Sequence, residues 1–278
     1  MKHPLTSLLL LFACAAFAEK SDLAVLLEKA SSGTEREVRH VRFTCDFSDD
    51  FEDAENEPFD VCGISAGLGV DFVPGRMTGV QWGAGVAVSA SSTGVQGSFG
   101  LAIAEEFTGI QMGLIAPMSN DGTGIQIGGV CCFIRGDRDR EGAALSAFHG
   151  IQIGGLANCA SGNGVQLSLL LNETAGYFNY ADELRNRGWE SRWRGVQGSV
   201  IANRACYLEG VQFAFLFNYA VRCRGVQIGA LNRADELQGV QFGLINVADS
   251  GAGLQIGLIN SFGSDGDRLI LPFLNARF

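Results

Sequence analysis

Apolar and polar residues alternate along most of the chain in a short unit, and most steps from one copy to the next are 14 or 15 residues long. Positions within the unit are numbered here as columns, with its first glycine in column 0. Eleven copies begin at Gly79, Gly94, Gly109, Gly124, Gly150, Gly164, Gly195, Gly210, Gly225, Gly239 and Gly253. A fixed short period of this kind predicts a repeat architecture.

Within the unit, the residue type of three columns hardly changes. Column 1 is Val, Ile or Leu, column 2 is Gln, and column 4 is Gly, Ser or Ala in all eleven copies. Apolar residues in columns 1, 3 and 5, with polar or small residues between them, have a period of two. Each unit is therefore predicted to form one strand with an apolar face and a Gln/small face.

Two all-β architectures fit tandem one-strand repeats. In a β-solenoid, each unit is one coil, identical columns stack about 4.8 Å apart, Gln and Asn form hydrogen-bonded ladders, and the apolar columns fill the inside. In the alternative, an outer-membrane antiparallel up-and-down β-barrel of about 12–14 strands, the apolar columns face lipid. We prefer the solenoid, because the connections are short and alike and the chain has only 4 Tyr and 3 Trp for membrane girdles.

The glutamines of column 2 are predicted to form a structural ladder, which explains their regular spacing better than a ligand-binding groove does. They are Gln81, Gln96, Gln111, Gln126, Gln152, Gln166, Gln197, Gln212, Gln227, Gln241 and Gln255. A weaker copy begins at Gly63, and a further one aligns at 268–275, with Pro272 in the glycine position. The 31-residue step from Gly164 to Gly195 is expected to contain one degenerate unit.

The chain divides into three parts. Residues 1–18 have the charged start, short apolar run and small-residue cleavage site of a signal peptide, which predicts export to the cell surface, outer membrane or periplasm of a bacterium. Residues 19–59 are predicted to contain a helix, a strand and an acidic loop. Residues 60–278 form one β-repeat domain, with insertions near 133–148 and 173–194.

Charge and cysteine content limit the partners. The net charge of -10 gives no general attraction to nucleic acid or to anionic lipid. Removal of the signal region would leave seven of the eight cysteines, so at least one thiol stays free or pairs between chains. Cys45 and Cys62 flank the acidic loop and are the predicted internal disulfide. No cysteine or histidine spacing matches a metal site.

The sequence contains no recognisable catalytic set. It has no nucleophile elbow, phosphate loop, zinc-protease helix or dinucleotide fingerprint, so we expect neither an enzyme nor a cofactor. The second insertion instead concentrates arginines and aromatics, the residue types that dominate binding hot spots. These candidate partner-binding residues are Tyr177, Tyr180, Arg185, Arg187, Trp189, Arg192, Trp193 and Arg194. The alternative is that the aromatics pack on the repeat stack.

Units reading Gly-Val-Gln-Ile-Gly-Leu-Ile-Asn, with the closing tail Leu271–Phe278, resemble a family of bacterial surface-repeat proteins with exported, glycine- and glutamine-marked tandem units. The resemblance covers about residues 60–278. It implies a surface or envelope location and no established enzyme chemistry. The expected function is therefore structural or adhesive. The expected partner is an unidentified protein or surface ligand, and association with the outer membrane is a further expectation. The alternative is an outer-membrane barrel that acts as a pore or transporter.

Overall fold

The computed structural model describes residues 37–44, 59–134, 148–174, 192–264 and 266–277. Every regular element in these ranges is a strand. The strands are β1 (Glu37–Thr44), β2 (Phe59–Gly67), β3 (Val70–Gly83), β4 (Val86–Ser98), β5 (Leu101–Gly113), β6 (Ala116–Gly128), β7 (Cys131–Ile134), β8 (Phe148–Gly154), β9 (Ala157–Cys159), β10 (Gly162–Ser168), β11 (Leu171–Glu173), β12 (Arg192–Ser199), β13 (Ala202–Ala214), β14 (Phe217–Phe262) and β15 (Leu269–Arg277). The signal peptide, the acidic loop and the predicted N-terminal helix lie outside the described ranges.

Successive units stack in parallel with identical columns side by side. Between β5 and β6, for example, Gly109 pairs with Gly124 and Gln111 pairs with Gln126. This pairing confirms the predicted β-solenoid. It excludes the antiparallel barrel, because only β15 pairs antiparallel among the described strands.

The insertions interrupt the chain without interrupting the stack. Gly164 pairs directly with Gly195, so the expectation of a degenerate unit between them is wrong. Gly124 likewise pairs directly with Gly150. Residues 135–147 and 175–191, which contain most of the two insertions, lie outside the described residues. The stack also begins before residue 60, because β1 pairs in parallel with β2.

The interior is lined by the Gln/small face, which reverses the expectation that apolar columns fill the inside. Every column 2 glutamine is fully buried, whereas many column 1 and column 3 residues are exposed. The reason is a narrow interior that an amide can span: Nε2 of Gln111 donates to the carbonyls of Ala102 and Met118 on the opposite wall, both at 3.2 Å. Column 4 is small because the chain then turns back tightly; a Cβ on Gly128 would overlap the carbonyl of Cys131.

The column 0 glycines are required by the backbone and by the stacking. Gly225 has a φ of 147°, in a region that residues with a Cβ rarely adopt. A Cβ at this position would also overlap the carbonyl oxygen of Gly210 in the preceding coil. The regular glycine spacing therefore reports a repeated close approach between coils.

One interior column alternates aromatic residues with glycine. Phe107, Gly122, Phe148, Gly162 and Trp193 are neighbours in successive coils. The glycines leave room for the rings to approach across the intervening coil, so the ring centroids of Phe107 and Phe148 are 6.3 Å apart and those of Phe148 and Trp193 are 6.5 Å apart. This large-small alternation lets the rings pack against one another in the interior.

The C-terminal end of the stack is covered by β15. This strand pairs antiparallel with the last part of β14, so the aligned copy at 268–275 is not another parallel coil. Phe273, next to Pro272, has a φ of 65° and lies at an irregularity in the pairing. As an edge strand, β15 tolerates a proline that has no N–H to donate.

Candidate functional site

The column 2 glutamines form a continuous hydrogen-bonded ladder along the axis of the stack. In each of ten steps, Nε2 of one glutamine donates to Oε1 of the preceding one at 2.7–2.9 Å. All ten bonds point toward the N-terminus, so the amides can polarise one another. The arrangement leaves no groove for a ligand along this column, because the glutamines are fully buried.

A second ladder, made of asparagines, runs on the opposite wall. In each step, Nδ2 of one asparagine donates to Oδ1 of the following one at 2.8–2.9 Å, which is the opposite direction to the glutamine ladder. Its members are Asn158, Asn172, Asn203, Asn218, Asn232, Asn246 and Asn260, all fully buried or nearly so. The two amide chains hold the walls of each coil in register.

A buried ion pair closes the N-terminal end of the glutamine ladder. Arg42 and Ser65 occupy the glutamine column in the first two strands. Nη1 of Arg42 lies 3.0 Å from Oδ1 of Asp71, and the Ser65 hydroxyl donates to the same oxygen at 2.8 Å. The main-chain carbonyl of Asp71 in turn accepts from Nε2 of Gln81 at 3.1 Å. No periodic signal in the sequence marks this end, since neither Arg42 nor Ser65 is a glutamine.

The predicted partner-binding residues do not form one exposed patch. Trp193 is fully buried in the interior column that alternates aromatic residues with glycine, so its assignment as a surface contact is wrong. Arg192 and Arg194 are on the surface, where both pair with Glu209, the latter at 2.6 Å. The remaining candidates, Tyr177, Tyr180, Arg185, Arg187 and Trp189, lie outside the described residues.

Five cysteines of the described residues are free thiols. They are Cys62, Cys131, Cys132, Cys206 and Cys223. The predicted disulfide between Cys62 and Cys45 is therefore absent, and Cys45 itself lies outside the described ranges. Burial raises the pKa of Cys132, and raises that of Cys223 to about 12, so these thiols stay protonated and unreactive near neutral pH.

Glu173 is a buried carboxyl group on the outer side of the asparagine wall. It is 1 % exposed, and neither side-chain oxygen has a hydrogen-bond partner among the described residues. Desolvation raises its pKa to about 8, although the attraction of Arg204 opposes the shift. At neutral pH the group is therefore mostly a protonated acid. No second acid or nucleophile with a complementary shift in pKa accompanies it within the described residues, so it does not make a catalytic pair.

We predict that Glu173 makes the protein less stable at alkaline pH. The carboxyl group of Glu173 has a pKa of about 8 in the folded state and near 4.5 in the unfolded chain, so between these values only the folded state keeps the proton. The free energy of unfolding therefore falls as the pH rises, by on the order of 1 kcal/mol per pH unit between about pH 4.5 and 8. Glu173→Gln is expected to remove this slope and to exceed the parent in stability at pH 8. Urea melts at pH 5, 6.5 and 8 measure the effect.

Glu209→Gln is the matched control for this measurement. A hydrogen bond from Arg194 lowers the pKa of the partly exposed Glu209, so the stability that this carboxylate contributes is lost only as the pH falls below the ordinary pKa range of a glutamate. The slope between pH 5 and 8 should be unchanged in this variant. A Glu173→Gln variant that keeps the slope of the parent would show that another group titrates in this window.

The outside of the solenoid carries an uncharged apolar surface. It consists of exposed side chains in columns 1 and 3 and in the adjoining turn columns 5 and 6, and it extends from β1 to the last coil of β14. Its members are Val41, Phe43, Ile64, Leu68, Val80, Phe99, Ile110, Leu114, Ile115, Ile127, Ile151, Ile153, Leu167, Leu169, Leu170, Val200, Ile201, Phe213, Phe215, Leu216, Ile228, Phe242, Leu244, Ile245, Leu258 and Ile259. Columns 0 to 6 of the eleven copies contain no charged residue.

The opposite wall of the C-terminal coils is charged on its outside. Ion pairs link neighbouring coils there, such as Arg222 with Glu236 at 3.2 Å and Arg233 with Asp249 at 3.2 Å. Arg222 also donates to the hydroxyl of Tyr207 at 2.9 Å. The solenoid is therefore amphipathic about its long axis, with water-facing charges on one wall and the apolar surface on the other.

Comparison with protein-family models, curated proteins and solved structures finds no match. Within the described ranges, no group of three or more His, Cys, Asp or Glu residues could hold a metal ion. The same ranges contain no helix long and apolar enough to cross a membrane. The apolar surface is thus the feature from which a function can be argued.

Proposed function

We propose that this chain is a non-enzymatic, exported repeat protein that acts as a structural or adhesive element through its apolar surface. The observation that carries the proposal is the continuous row of twenty-six exposed apolar side chains. Monomeric proteins rarely expose contiguous apolar patches beyond a few hundred Å², and larger ones mark interaction sites. A surface of this length is costly in water unless something covers it.

The rest of the molecule supports a scaffold role. The glutamine ladder is buried through all eleven copies, the asparagine ladder from Asn158 to Asn260, and the aromatic column from Phe107 to Trp193, so the coils form a rod on which the exposed columns keep a fixed spacing. The same filling argues against the pore alternative, because the glutamine column occupies the space inside the coils. Chemistry is also disfavoured by thiols and a carboxyl group that are buried in protonated form.

A footprinting experiment in the cells that make the protein tests the proposal without assuming what covers the surface. Hydroxyl-radical oxidation of Phe215, Phe242 and Leu244, followed by mass spectrometry, is expected to be several-fold lower in intact cells than in the purified, diluted chain. Tyr207, on the charged wall, is the internal control and should be oxidised equally in both samples. Equal oxidation of all four residues in cells and in dilution would contradict the proposal.

A further inference from the structure

Resting on the proposed function, we infer that the partner that covers the apolar surface is a second copy of the same chain, bound face to face as a two-fold symmetric dimer. Three properties of the surface favour this occupant: its area, its lack of charge and its repeat spacing.

The size of the surface fits a stable dimer. A specific protein interface of standard size involves roughly 20–30 residues on each side. The apolar surface offers twenty-six exposed side chains, with relative exposures as high as 77 % for Phe215 and 73 % for Phe43. Its composition, aliphatic and aromatic without charge, matches the core of a homodimer interface.

The charge distribution permits self-association. A two-fold interface places the same patch of both copies against each other, so any charged residue near the axis would be repelled by the identical residue of the other copy. Columns 0 to 6 contain no charged residue, and the adjoining column before each glycine carries exposed Thr78, Thr93, Thr108 and Thr123 in the N-terminal coils. Farther along, this polar rim contains both signs, as in Arg194 and Glu209.

The spacing of the surface is matched by another copy over the full length of the rod. Identical columns recur at the distance between hydrogen-bonded strands, about 4.8 Å, so side chains form parallel ridges separated by grooves of the same period. A second solenoid has the same ridges, and two such sheet faces can interdigitate at about 10 Å, as in other face-to-face packings. An unrelated globular partner would not repeat this spacing across every coil.

A lipid surface fits the described residues less well. Proteins that lie on membranes usually combine an apolar face with lysines and arginines that attract anionic headgroups. All three lysines of this chain, Lys2, Lys20 and Lys29, precede the described ranges, and the net charge is -10. The described residues therefore favour a second copy of the chain over a bilayer, and vesicle binding distinguishes the two.

The test is the mass of the purified mature chain in detergent-free buffer, measured by sedimentation equilibrium between about 1 and 100 μM. We expect twice the monomer mass for the parent. Leu244→Glu with Leu258→Glu places two charges in adjacent coils of the apolar surface and is expected to raise the dimer Kd by about 100-fold or more, because each carboxylate would be buried without a partner. Ser250→Glu with Ser264→Glu adds the same charge at exposed positions outside the surface and should leave the Kd unchanged.

Circular dichroism and thermal melts show whether each variant folds. If the glutamate pair fails to fold, the pair Leu244→Ser with Leu258→Ser removes apolar contact without adding charge and should still raise the Kd at least tenfold. A parent dimer that neither apolar-surface pair weakens would place the contact elsewhere and overturn the inference. A parent that stays monomeric at 100 μM would overturn it as well.

The outcomes separate this inference from the proposed function. A monomeric parent that sediments with neutral phosphatidylcholine vesicles, and loses this binding in the glutamate pair, would make lipid the occupant and leave an apolar docking role intact. A monomer in solution whose surface is nevertheless protected in cells would point to a different protein partner. A dimer whose surface is unprotected in cells would refute the proposed function while leaving the contact itself established.

Discussion

Trp193→Ala is expected to lower the free energy of unfolding by about 3–5 kcal/mol, the range found when a large aromatic side chain is removed from a core. Trp193 is fully buried and stacks on Phe148 with an interplanar angle of 11°. It also borders Leu208 in the next coil. Truncation would leave a cavity that the rigid ladders on either side cannot close. Urea melts monitored by far-ultraviolet circular dichroism measure the loss.

Two neighbouring variants make the Trp193 measurement specific. Trp193→Phe keeps an aromatic ring and removes the indole N–H, which has no hydrogen-bond partner in the part of the chain that the structure describes, so it should cost much less than the alanine variant. Arg194→Ala changes the next residue, which is on the surface and paired with Glu209, and should have little effect because exposed ion pairs contribute little. An alanine variant as stable as the parent would return Trp193 to the surface contact that the sequence suggested.

Gln241→Leu is expected to cost about 3 kcal/mol or more, because a side chain of similar size replaces an amide that serves three partners. Nε2 of Gln241 donates to Oε1 of Gln227 at 2.8 Å and to the carbonyl of Val247 at 3.2 Å. Its own oxygen accepts from Gln255 at 2.8 Å. Each buried polar group left unsatisfied costs about 1–3 kcal/mol. The measurement is a set of urea melts beside the parent.

The end of the ladder provides the control for Gln241→Leu. The side-chain oxygen of Gln255 accepts no hydrogen bond in the described part of the chain. Gln255→Leu therefore removes only donated bonds, to Gln241 and to the carbonyl of Ser261, and should cost less than the interior variant. Equal and negligible costs at both positions would mean that the amide chain does not stabilise the stack.

Several features of the fold could be predicted from the sequence because they repeat. Each coil needs one glycine that has a positive φ and lies close to the backbone carbonyl of the preceding coil, so the glycines mark the period and the register. Alternation with a period of two identifies a strand. A glutamine in the same column of every copy predicts a ladder, since a buried amide in such a stack has an identical amide on either side.

The tertiary structure alone decided which face of that strand is buried. Alternation distinguishes two faces but does not say which is inside, and the usual preference for burying apolar residues gave the wrong answer. The two walls of each coil are close enough for Gln111 to reach carbonyls on the opposite side, and such a space suits stacked amides and small residues. The apolar columns are left outside, where the proposed partner covers them.

Features that occur only once were also beyond the sequence. In the sequence, Trp193 belongs with the arginines and aromatics of the insertion near 173–194, and only the pairing of β10 with β12 places it in the core. The same pairing removes the expected degenerate unit between Gly164 and Gly195. Arg42 joins the glutamine column because Asp71 neutralises it, and β15 turns antiparallel to close the stack. A repeating column is determined by its own periodicity, whereas the ends and interruptions of the stack depend on contacts between residues far apart in the chain.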